Sequence, residues 1–269
     1  DLCGIPEPYD LGPGLRRGER GFVVAKVLAD LLLVSRCIAE SRAKAQAAIA
    51  AGGVTADGRV VAKASEALDE ACDLKAEAAH PYVGRGALKL IHALDLWPVV
   101  VTGAVVLDVG ASTGGFTEVC LQRGASRVYA VDVGRGQLHA RLAGDPQVVA
   151  LEGLDARALT ADLIPLPPSL VVCDASFIGL AKVLPAALSR AAPDAELIAL
   201  VKPQFEVGPN LVGKGGLVRD PEARARALAD VCSFLTASGW AVLATADSPI
   251  LGGDGNAEYL LRARKSRPD

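Results

Sequence analysis

Apolar and polar positions alternate along most of the chain in segments of two kinds. Short apolar, β-prone runs recur at 104–109, 127–132, 148–151, 170–174, 196–201, 240–246 and 257–263. Helix-length segments separate most of them, a pattern that favours right-handed βαβ crossovers and a mainly parallel sheet with helices on both faces. A Gly-rich turn joins the last two runs, as expected of an antiparallel hairpin at a sheet edge. The pattern predicts an α/β fold with a doubly wound, seven-stranded sheet.

The N-terminal part has a different pattern. An apolar segment at 27–34 precedes a helical segment at 42–51, and Asp57-Gly58 follows between two short β-prone runs. An Asp-Gly pair in this position is typical of a two-residue hairpin turn. Residues 23–63 are therefore predicted to form a small α+β domain of two helices and a hairpin.

Composition along the chain completes the predicted domain organisation. The 269 residues exceed the usual size of one domain, about 100–150 residues. Residues 1–22 are rich in Gly and Pro and form an N-terminal extension to which no fold is assigned, and residues 64–81 are acidic and Ala-rich, as in a linker. Residues 82–269 are predicted to form the larger domain.

Overall composition indicates a soluble globular protein. Hydrophobic residues make up 51% of the chain, charged residues make up 22%, and mean hydropathy is +0.32, which excludes a disordered chain. No apolar segment approaches the roughly 20 residues that span a bilayer, so we expect a cytoplasmic protein without membrane association. The 6 cysteines are widely spaced and there are only 3 histidines, so we predict no metal site.

Positive charge is concentrated near the N-terminus. The net charge of the whole chain is −3, but residues 15–63 carry nine bases against four acids. Such a run is commonly a solvated face, yet on a small module of helices and a hairpin it favours a phosphate-binding surface. The candidate nucleic-acid contacts are Arg36, Arg42, Lys44, Arg59, Lys63 and, further along the chain, Arg85.

The loop after the strand predicted at 104–109 has two interpretations. Gly110, Ser112 and Gly114 fit the G-x-S-x-G nucleophile elbow of α/β-hydrolases. However, His139 is the only histidine after Ser112 and lies within the next βα unit, so a catalytic triad cannot be completed in the usual order. The other interpretation is a nucleotide loop, whose small residues let a ligand approach the backbone at a helix N-terminus.

Acidic residues after the next two strands support the nucleotide interpretation. Asp132 ends the second strand, where a carboxylate can bind both hydroxyls of a ribose, and Asp155 follows the third strand, in place to meet an adenine edge. The loop lacks a P-loop lysine, which fits S-adenosylmethionine because that cofactor has no pyrophosphate. The predicted cofactor contacts are Asp108, Gly110, Ala111, Ser112, Thr113, Gly114, Gly115, Asp132, Val133 and Asp155.

Two lysines and two acids form a second candidate group. Asp174 and Lys202 end successive predicted strands, whose carboxyl ends border the ligand crevice of an open α/β sheet. Lys89 lies on the helix that opens the larger domain, and Glu258 starts the last strand. Such a set suits proton removal from an alcohol, because burial and a neighbouring ammonium favour the neutral form of one lysine. Taken singly, each residue is more often a member of a surface ion pair.

Five stretches of the chain carry a resemblance to a known family. They are residues 107–118, 131–138, 201–208, 212–216 and 255–259. In these stretches the chain resembles the TlyA group of bacterial ribosomal RNA 2′-O-methyltransferases, also called haemolysins, and the likeness covers about residues 26–264. It implies an alpha-L RNA-binding motif followed by an FtsJ-like methyltransferase domain with a class I, Rossmann-like sheet.

The resemblance also implies a reaction and a catalytic tetrad, Lys89, Asp174, Lys202 and Glu258. The reaction is methyl transfer from S-adenosylmethionine to a ribose 2′-hydroxyl, that of a cytidine, with ribosomal RNA or ribosomal subunits as partner and no metal. In this hypothesis Lys202 is the base, Lys89 positions the hydroxyl, and the two acids orient the lysines. The chain departs from the family at Asp155, where Asn is usual.

Two alternatives from other classes remain. One is a ribosome-assembly factor that binds RNA without catalysis, against which the intact loop and tetrad argue. The other is a haemolysin-like membrane activity, against which the lack of a spanning or amphipathic segment argues.

Overall fold

The structure, a computed structural model, describes residues 26–39, 41–50, 53–76 and 81–266. The chain falls into two compact units, one up to residue 79 and the other from residue 80. The extension predicted for 1–22 and the first residues of the domain predicted from residue 23 lie outside the described residues. Across the described ranges, no helix is long and apolar enough to cross a membrane.

The first unit combines two helices with short strands. Its described elements are β1 Lys26–Leu28, α1 Ala29–Ser35, α2 Arg42–Ala50, β2 Val54–Ala56, β3 Arg59–Val60, β4 Ala67–Asp69 and β5 Leu74–Ala76. β1 pairs with β4, and β2 pairs with both β3 and β5, all antiparallel. Asp57 and Gly58 have φ values of 50° and 76°, as a tight turn between β2 and β3 requires.

The segment 64–81 differs from the linker that its composition predicts. β4 and β5 lie within it and pair with β1 and β2, and Leu68, Cys72 and Leu74 are buried in the core of the first unit. The linker prediction is wrong for residues 64–76. In short strands that bury every second side chain, the exposed positions can be acidic, so the composition resembles that of a linker. Residues 77–80 lie outside the described part of the chain.

The second unit carries the large sheet. Its elements are α3 Ala87–Leu96, β6 Val105–Val109, α4 Gly115–Gln122, β7 Arg127–Asp132, α5 Ala140–Ala143, β8 Val148–Glu152, β9 Leu170–Cys173, α6 Leu180–Arg190, β10 Glu196–Val201, α7 Pro203–Glu206, α8 Pro221–Ala237, β11 Trp240–Asp247 and β12 Tyr259–Lys265. Short 3-10 helices lie at Ala156–Ala158, Pro209–Leu211 and Lys214–Gly216. Each predicted strand matches one of β6–β12, which confirms the predicted alternation.

The sheet has seven strands in the order β11-β12-β10-β9-β6-β7-β8. The five strands from β6 to β10 are parallel, and β12 runs antiparallel between β10 and β11. The terminal hairpin is therefore at the edge, as predicted. Strand order reverses between β6 and β9, and in open α/β sheets the ligand crevice lies at such a reversal, beyond the carboxyl ends of the strands.

Alternate side chains of the central strands enter two different cores. In β9, Val171 and Cys173 pack in the core that includes α6 and α8, whereas Leu170 and Val172 pack in the core that includes α3 and α4. Successive side chains of a strand point to opposite faces, so a strand buried on both faces reads as an unbroken apolar run. This explains why the sequence predicts these strands clearly.

Candidate active site

The loop between β6 and α4 passes against the backbone that follows β9. Gly110 has a φ of +83°, and a Cβ at this position would lie 2.9 Å from the Cα of Ala175. Gly114 has a φ of +96° at the start of α4, and a Cβ there would overlap the side chains of Leu138 and Leu142. Both positions therefore require glycine, and the loop presents backbone rather than side chains to the crevice.

The carboxylate of Asp132, at the end of β7, is fixed by this loop. Its Oδ2 accepts a hydrogen bond of 2.8 Å from the N–H of Ser112, and its Oδ1 accepts one of 2.7 Å from the N–H of Gly134. Each carboxylate oxygen can accept a further hydrogen bond. Asp132 is therefore oriented before any ligand is bound and keeps the capacity to bind hydroxyl groups.

The hydrolase interpretation gains no support from the loop geometry. Ser112 has a positive φ of 48°, as a nucleophile elbow also has, but no hydrogen bond joins its side chain to His139. The Nδ1 of His139 accepts the N–H of Arg141 at 3.3 Å and so caps α5. The loop therefore lacks the serine–histidine contact that a hydrolase needs.

A cavity of about 560 Å³ opens beside this loop. Of the predicted cofactor contacts, its lining includes Gly110, Ser112, Asp132, Val133 and Asp155. Its volume is that of a small-molecule site, and its walls combine apolar side chains with the carboxylates of Asp132, Asp155 and Asp174. A nucleoside needs both, because its ribose hydroxyls donate to acceptors and its base packs on apolar surface. The residues present therefore fit S-adenosylmethionine, and we call this space the cofactor cavity.

A second cavity, of about 200 Å³, shares part of its wall with the cofactor cavity. Both are lined by Gly110, Ser112, Asp174 and Ser176. The second cavity is further lined by Gly84, Arg85, Gly86, Ala111, Thr113, Gly115, Phe116 and Lys202. We call it the acceptor cavity. The predicted contacts Ala111, Thr113 and Gly115 thus lie in this second space rather than in the first.

Asp108 and Gly114 line neither cavity. Asp108 is fully buried, and its Oδ2 accepts a hydrogen bond of 2.7 Å from the hydroxyl of Thr117. Burial, with a smaller contribution from the nearby charges of Asp174 and Asp132, raises the pKa of Asp108 to about 7. Asp108 is bound to Thr117 of α4 and reaches neither cavity. This corrects the prediction that Asp108 contacts the cofactor directly.

Lys202 is held at the wall of the acceptor cavity by three acceptors. Its Nζ lies 2.6 Å from Oδ1 of Asp174, 3.2 Å from the carbonyl oxygen of Asp174 and 2.8 Å from Oγ of Ser176. Lys202 is only 7% exposed. The contacts to the carbonyl oxygen of Asp174 and to Ser176 are hydrogen bonds and the contact to Oδ1 is an ion pair, so the ammonium is held from three sides.

Lys89 and Glu258 form a second ion pair away from both cavities. The Nζ of Lys89 lies 2.5 Å from Oε2 of Glu258, and both side chains are buried. Lys89 lies three residues after Gly86 in the sequence. A Cβ added at Gly86 would lie 3.0 Å from Oδ2 of Asp174. The four predicted tetrad residues therefore form two pairs, of which only Lys202–Asp174 lines a cavity.

Two of the predicted RNA contacts are tied into the first unit. Arg36 donates to the carbonyl oxygen of Cys72 at 2.8 Å. Arg42 forms an ion pair of 2.8 Å with Asp30, whose side chain is 2% exposed. Both guanidinium groups therefore have a structural role, because they satisfy buried or partly buried acceptors.

The other predicted RNA contacts are more open. Arg59 pairs with Glu66 at 2.5 Å but keeps 64% of its side chain exposed, and Lys44 and Lys63 are exposed. In the second unit, Arg85 lines the acceptor cavity and donates to the carbonyl oxygen of Leu251 at 2.9 Å. Arg85 is thus the one predicted RNA contact that the described structure places at a cavity.

Among the cavity-lining residues that sequence reasoning missed are Arg157, Ser176 and Phe177. Phe177 is 90% exposed, has a φ of +66° and lies with its ring centroid 5.3 Å from that of Phe205. Ser176 and Phe177 lie two and three residues after Asp174, and this closeness in sequence was the available signal. Nothing in a local pattern marks a phenylalanine as exposed, because this residue type is usually buried.

The described residues contain no group of three or more His, Cys, Asp or Glu side chains arranged to hold a metal ion. The geometry of the site is thus built from backbone amides, lysines, carboxylates and an exposed aromatic ring.

Comparison with known proteins identifies relatives along most of the chain. The FtsJ-like methyltransferase family matches residues 82–265. A 16S/23S rRNA (cytidine-2′-O)-methyltransferase, TlyA of Mycobacterium tuberculosis, is 46% identical over 87% of this chain and 88% of its own length. Hemolysin A of Brachyspira hyodysenteriae is 36% identical over 82% of this chain and 92% of its own length.

Solved structures similar to this chain were also found. A hemolysin-named structure from Streptococcus thermophilus has a TM-score of 0.72 and 37% identity, and it covers 91% of this chain and 90% of its own. A structure from Listeria monocytogenes, described as an S-adenosylmethionine dependent methyltransferase, has a TM-score of 0.52 with 13% identity over 68% of this chain and 99% of its own, a likeness of fold alone. The chain therefore belongs to the TlyA group within the FtsJ-like methyltransferase family.

Proposed function

We propose that the protein transfers a methyl group from S-adenosylmethionine to the ribose 2′-hydroxyl of a cytidine in ribosomal RNA. The observation that carries this proposal is the Lys202–Asp174 pair, in which Lys202 lines the smaller cavity and Asp174 lines both that cavity and the nucleoside-sized one. The nature of the acceptor is supported by the name of the M. tuberculosis relative. A 2′-hydroxyl is present in RNA and absent from DNA, so this acceptor also selects the polymer.

In this proposal the chain holds the cofactor mainly through two carboxylates. Asp132 would bind the ribose hydroxyls with the lone pairs that its backbone partners leave open, and Asp155 would meet the adenine edge. Val133 and Ile178 would cover the faces of the base. When bound, S-adenosylmethionine supplies an electrophilic methyl group on a positively charged sulfur.

Lys202 would act as the general base. In its amine form, a lysine has two N–H donors and one lone pair. The carbonyl oxygen of Asp174 accepts one N–H at 3.2 Å, and the carboxylate of Asp174 lies 2.6 Å from Nζ, so the lone pair of the amine would be directed toward the place of the Ser176 hydroxyl, 2.8 Å away. An acceptor hydroxyl in that direction can donate its proton to Lys202, which makes the oxygen nucleophilic. Lys89 donates its backbone N–H to Gly86, which lines the acceptor cavity, so the Lys89–Glu258 pair would hold this part of the cavity wall in place.

Phe177 would hold the base of the acceptor nucleotide. Its ring lines the cofactor cavity, is 90% exposed and stands beside the ring of Phe205. Positive φ at a bulky residue costs about 1–3 kcal/mol and persists at functional sites where the surroundings impose it. Unpaired RNA bases are commonly bound by stacking on aromatic rings. The strained backbone thus keeps an aromatic surface directly after Ser176, whose hydroxyl contacts Lys202.

We expect Phe177→Leu to raise the KM for RNA about tenfold, because a stacked base contributes roughly 1–3 kcal/mol. Phe177→Tyr keeps an aromatic ring and is expected to stay close to the parent enzyme. Steady-state rates at saturating S-adenosylmethionine measure the effect. Val100→Ala, which changes another exposed apolar side chain (78%), serves as the control. An unchanged KM for RNA in Phe177→Leu would show that Phe177 does not stack on a base of the RNA.

We further propose that the first unit, with residues 23–63 as its alpha-L-type core, binds ribosomal RNA. The exposed positive groups of Lys44, Lys63 and Arg59 support this role, as does the positive charge of residues 15–63. Residues 82–269 would then form the methyltransferase domain. Because its substrate is ribosomal RNA, the protein would act in the cytoplasm.

Radiolabelled methyl transfer to unmodified ribosomal subunits and to naked ribosomal RNA tests the proposed function. We expect label on RNA and, after digestion and mass spectrometry, 2′-O-methylcytidine. RNA binding without transfer, despite measured cofactor binding, would instead support a non-catalytic assembly factor. Label on a base instead of a ribose would contradict the proposed acceptor.

A further inference from the structure

A second charged pair lies in the cofactor cavity, between Asp155 and Arg157. The Nε of Arg157 lies 3.0 Å from both carboxylate oxygens of Asp155, and its Nη2 lies 2.6 Å from Oδ2. The backbone N–H of Arg157 also donates to Oδ1, at 2.9 Å. Both residues line the cavity. One residue thus contributes three donors to a single carboxylate.

These contacts limit what the carboxylate can still bind. A carboxylate has about four acceptor positions, and Arg157 directs three donors at it, with Nε shared between the two oxygens, in a geometry that fixes the carboxylate plane. The guanidinium of Arg157 holds the pKa of Asp155 below its ordinary value. Asp155 is therefore an ionised, oriented acceptor that keeps room for one more donor and has no proton to give.

The pair also answers an electrostatic problem of the cofactor site. The side chain of Asp155 is 39% exposed, and a bound adenine would remove water from it. A charged carboxylate without a partner is costly to desolvate, whereas one that is paired and hydrogen-bonded is much less so. Arg157 is 60% exposed, so the pair contributes little while both groups are in water. Its contribution grows when a ligand covers it.

We propose that Arg157 is a positioning residue of the cofactor site, which neutralises and aims Asp155 so that its remaining acceptor position binds the amino group of adenine. Arg157 acts through Asp155, without a role in the chemistry of methyl transfer. The inference rests on the proposed function, because it assumes that the cofactor cavity binds S-adenosylmethionine.

Calorimetric titration of the full chain with S-adenosylmethionine, in the absence of RNA, tests the proposal. We expect Arg157→Ala to weaken binding about tenfold, the cost of leaving a charged group without its partner. The double variant Asp155→Asn, Arg157→Ala is expected to bind within about threefold of the parent chain, because a neutral amide needs no counter-charge. At saturating cofactor, the kcat of Arg157→Ala should equal that of the parent chain.

Arg226 provides a matched control. It is 58% exposed and pairs with Asp220 and Glu222 on α8, but it lines neither cavity, so Arg226→Ala should leave cofactor binding unchanged. Parent-like binding by Arg157→Ala would overturn the proposal. A double variant that binds S-adenosylmethionine as weakly as Arg157→Ala would also overturn it, since Arg157 would then contact the cofactor directly. An effect of Arg157→Ala that is confined to the KM for RNA would overturn it as well. Failure of the parent chain to bind the cofactor would instead count against the proposed function.

Discussion

Replacing Lys202 with alanine is expected to lower kcat for methyl transfer by about 10²–10⁴-fold, the usual contribution of a general base. Lys202→Arg should be almost as slow, because an arginine keeps the positive charge and the contacts to Asp174 but does not give up its proton. Initial rates on ribosomal RNA at saturating S-adenosylmethionine measure both effects. Calorimetry should give a cofactor affinity close to that of the parent chain, since Lys202 lines the acceptor cavity and not the cofactor cavity.

The exposed Lys182 of α6 supplies the control, and Lys182→Ala should have parental kcat. A Lys202→Arg variant with parental rate would exclude proton transfer to this side chain and leave it only a positioning role. The base would then have to be sought elsewhere on the wall of the acceptor cavity.

The second large effect is expected at the buried pair Lys89–Glu258. Glu258→Ala leaves the ammonium of Lys89 without its partner at a position that is only 6% exposed. Breaking one side of a buried ion pair costs about 3–5 kcal/mol. We therefore expect the free energy of unfolding, measured by urea denaturation, to fall by about that amount. Asp95→Ala breaks the exposed pair with Arg123 and should cost less than about 1 kcal/mol.

A double variant separates stability from catalysis at this pair. Lys89→Met with Glu258→Leu removes both charges, and such replacements of buried pairs are often neutral or stabilising. We expect the double variant to recover most of the lost stability and to remain slow in methyl transfer, because the start of α3, next to Gly86 at the acceptor cavity, is no longer held by the ion pair. Parental activity in a stable double variant would show that the pair serves the fold alone.

The sheet is predictable from sequence because its strands are buried on both faces. Val171, Val172 and Cys173 all lie inside, so no polar residue interrupts the run and the apolar pattern alone locates the strand. The strands of the first unit have only two or three residues each. Runs this short carry almost no periodicity, which is why β4 and β5 are indistinguishable from a linker at the level of composition.

Part of the site is predictable for a related reason. Asp132, Asp174 and Lys202 each follow a clear strand, and parallel strands bring their carboxyl ends to one edge of the sheet. The pairing of Lys89 with Glu258 joins positions 169 residues apart, and no local pattern specifies it. Asp108 is misassigned because sequence position does not distinguish a side chain that faces the crevice from one buried behind it. Arg157 is missed because an arginine two residues after an acid resembles any surface pair.

The order of strands in the sheet separates the two tasks of the site in space. Asp132 and Asp155 follow β7 and β8 on one side of β6, whereas Asp174 and Lys202 follow β9 and β10 on the other. The close approach of Gly110 to Ala175 joins the two sides through backbone alone. Variation in the loop after β10, none of whose residues lines the cofactor cavity, can therefore change which nucleotide is modified while the methyl-donor side is inherited unchanged. A lineage built on this sheet can diversify its targets without having to evolve its cofactor chemistry again.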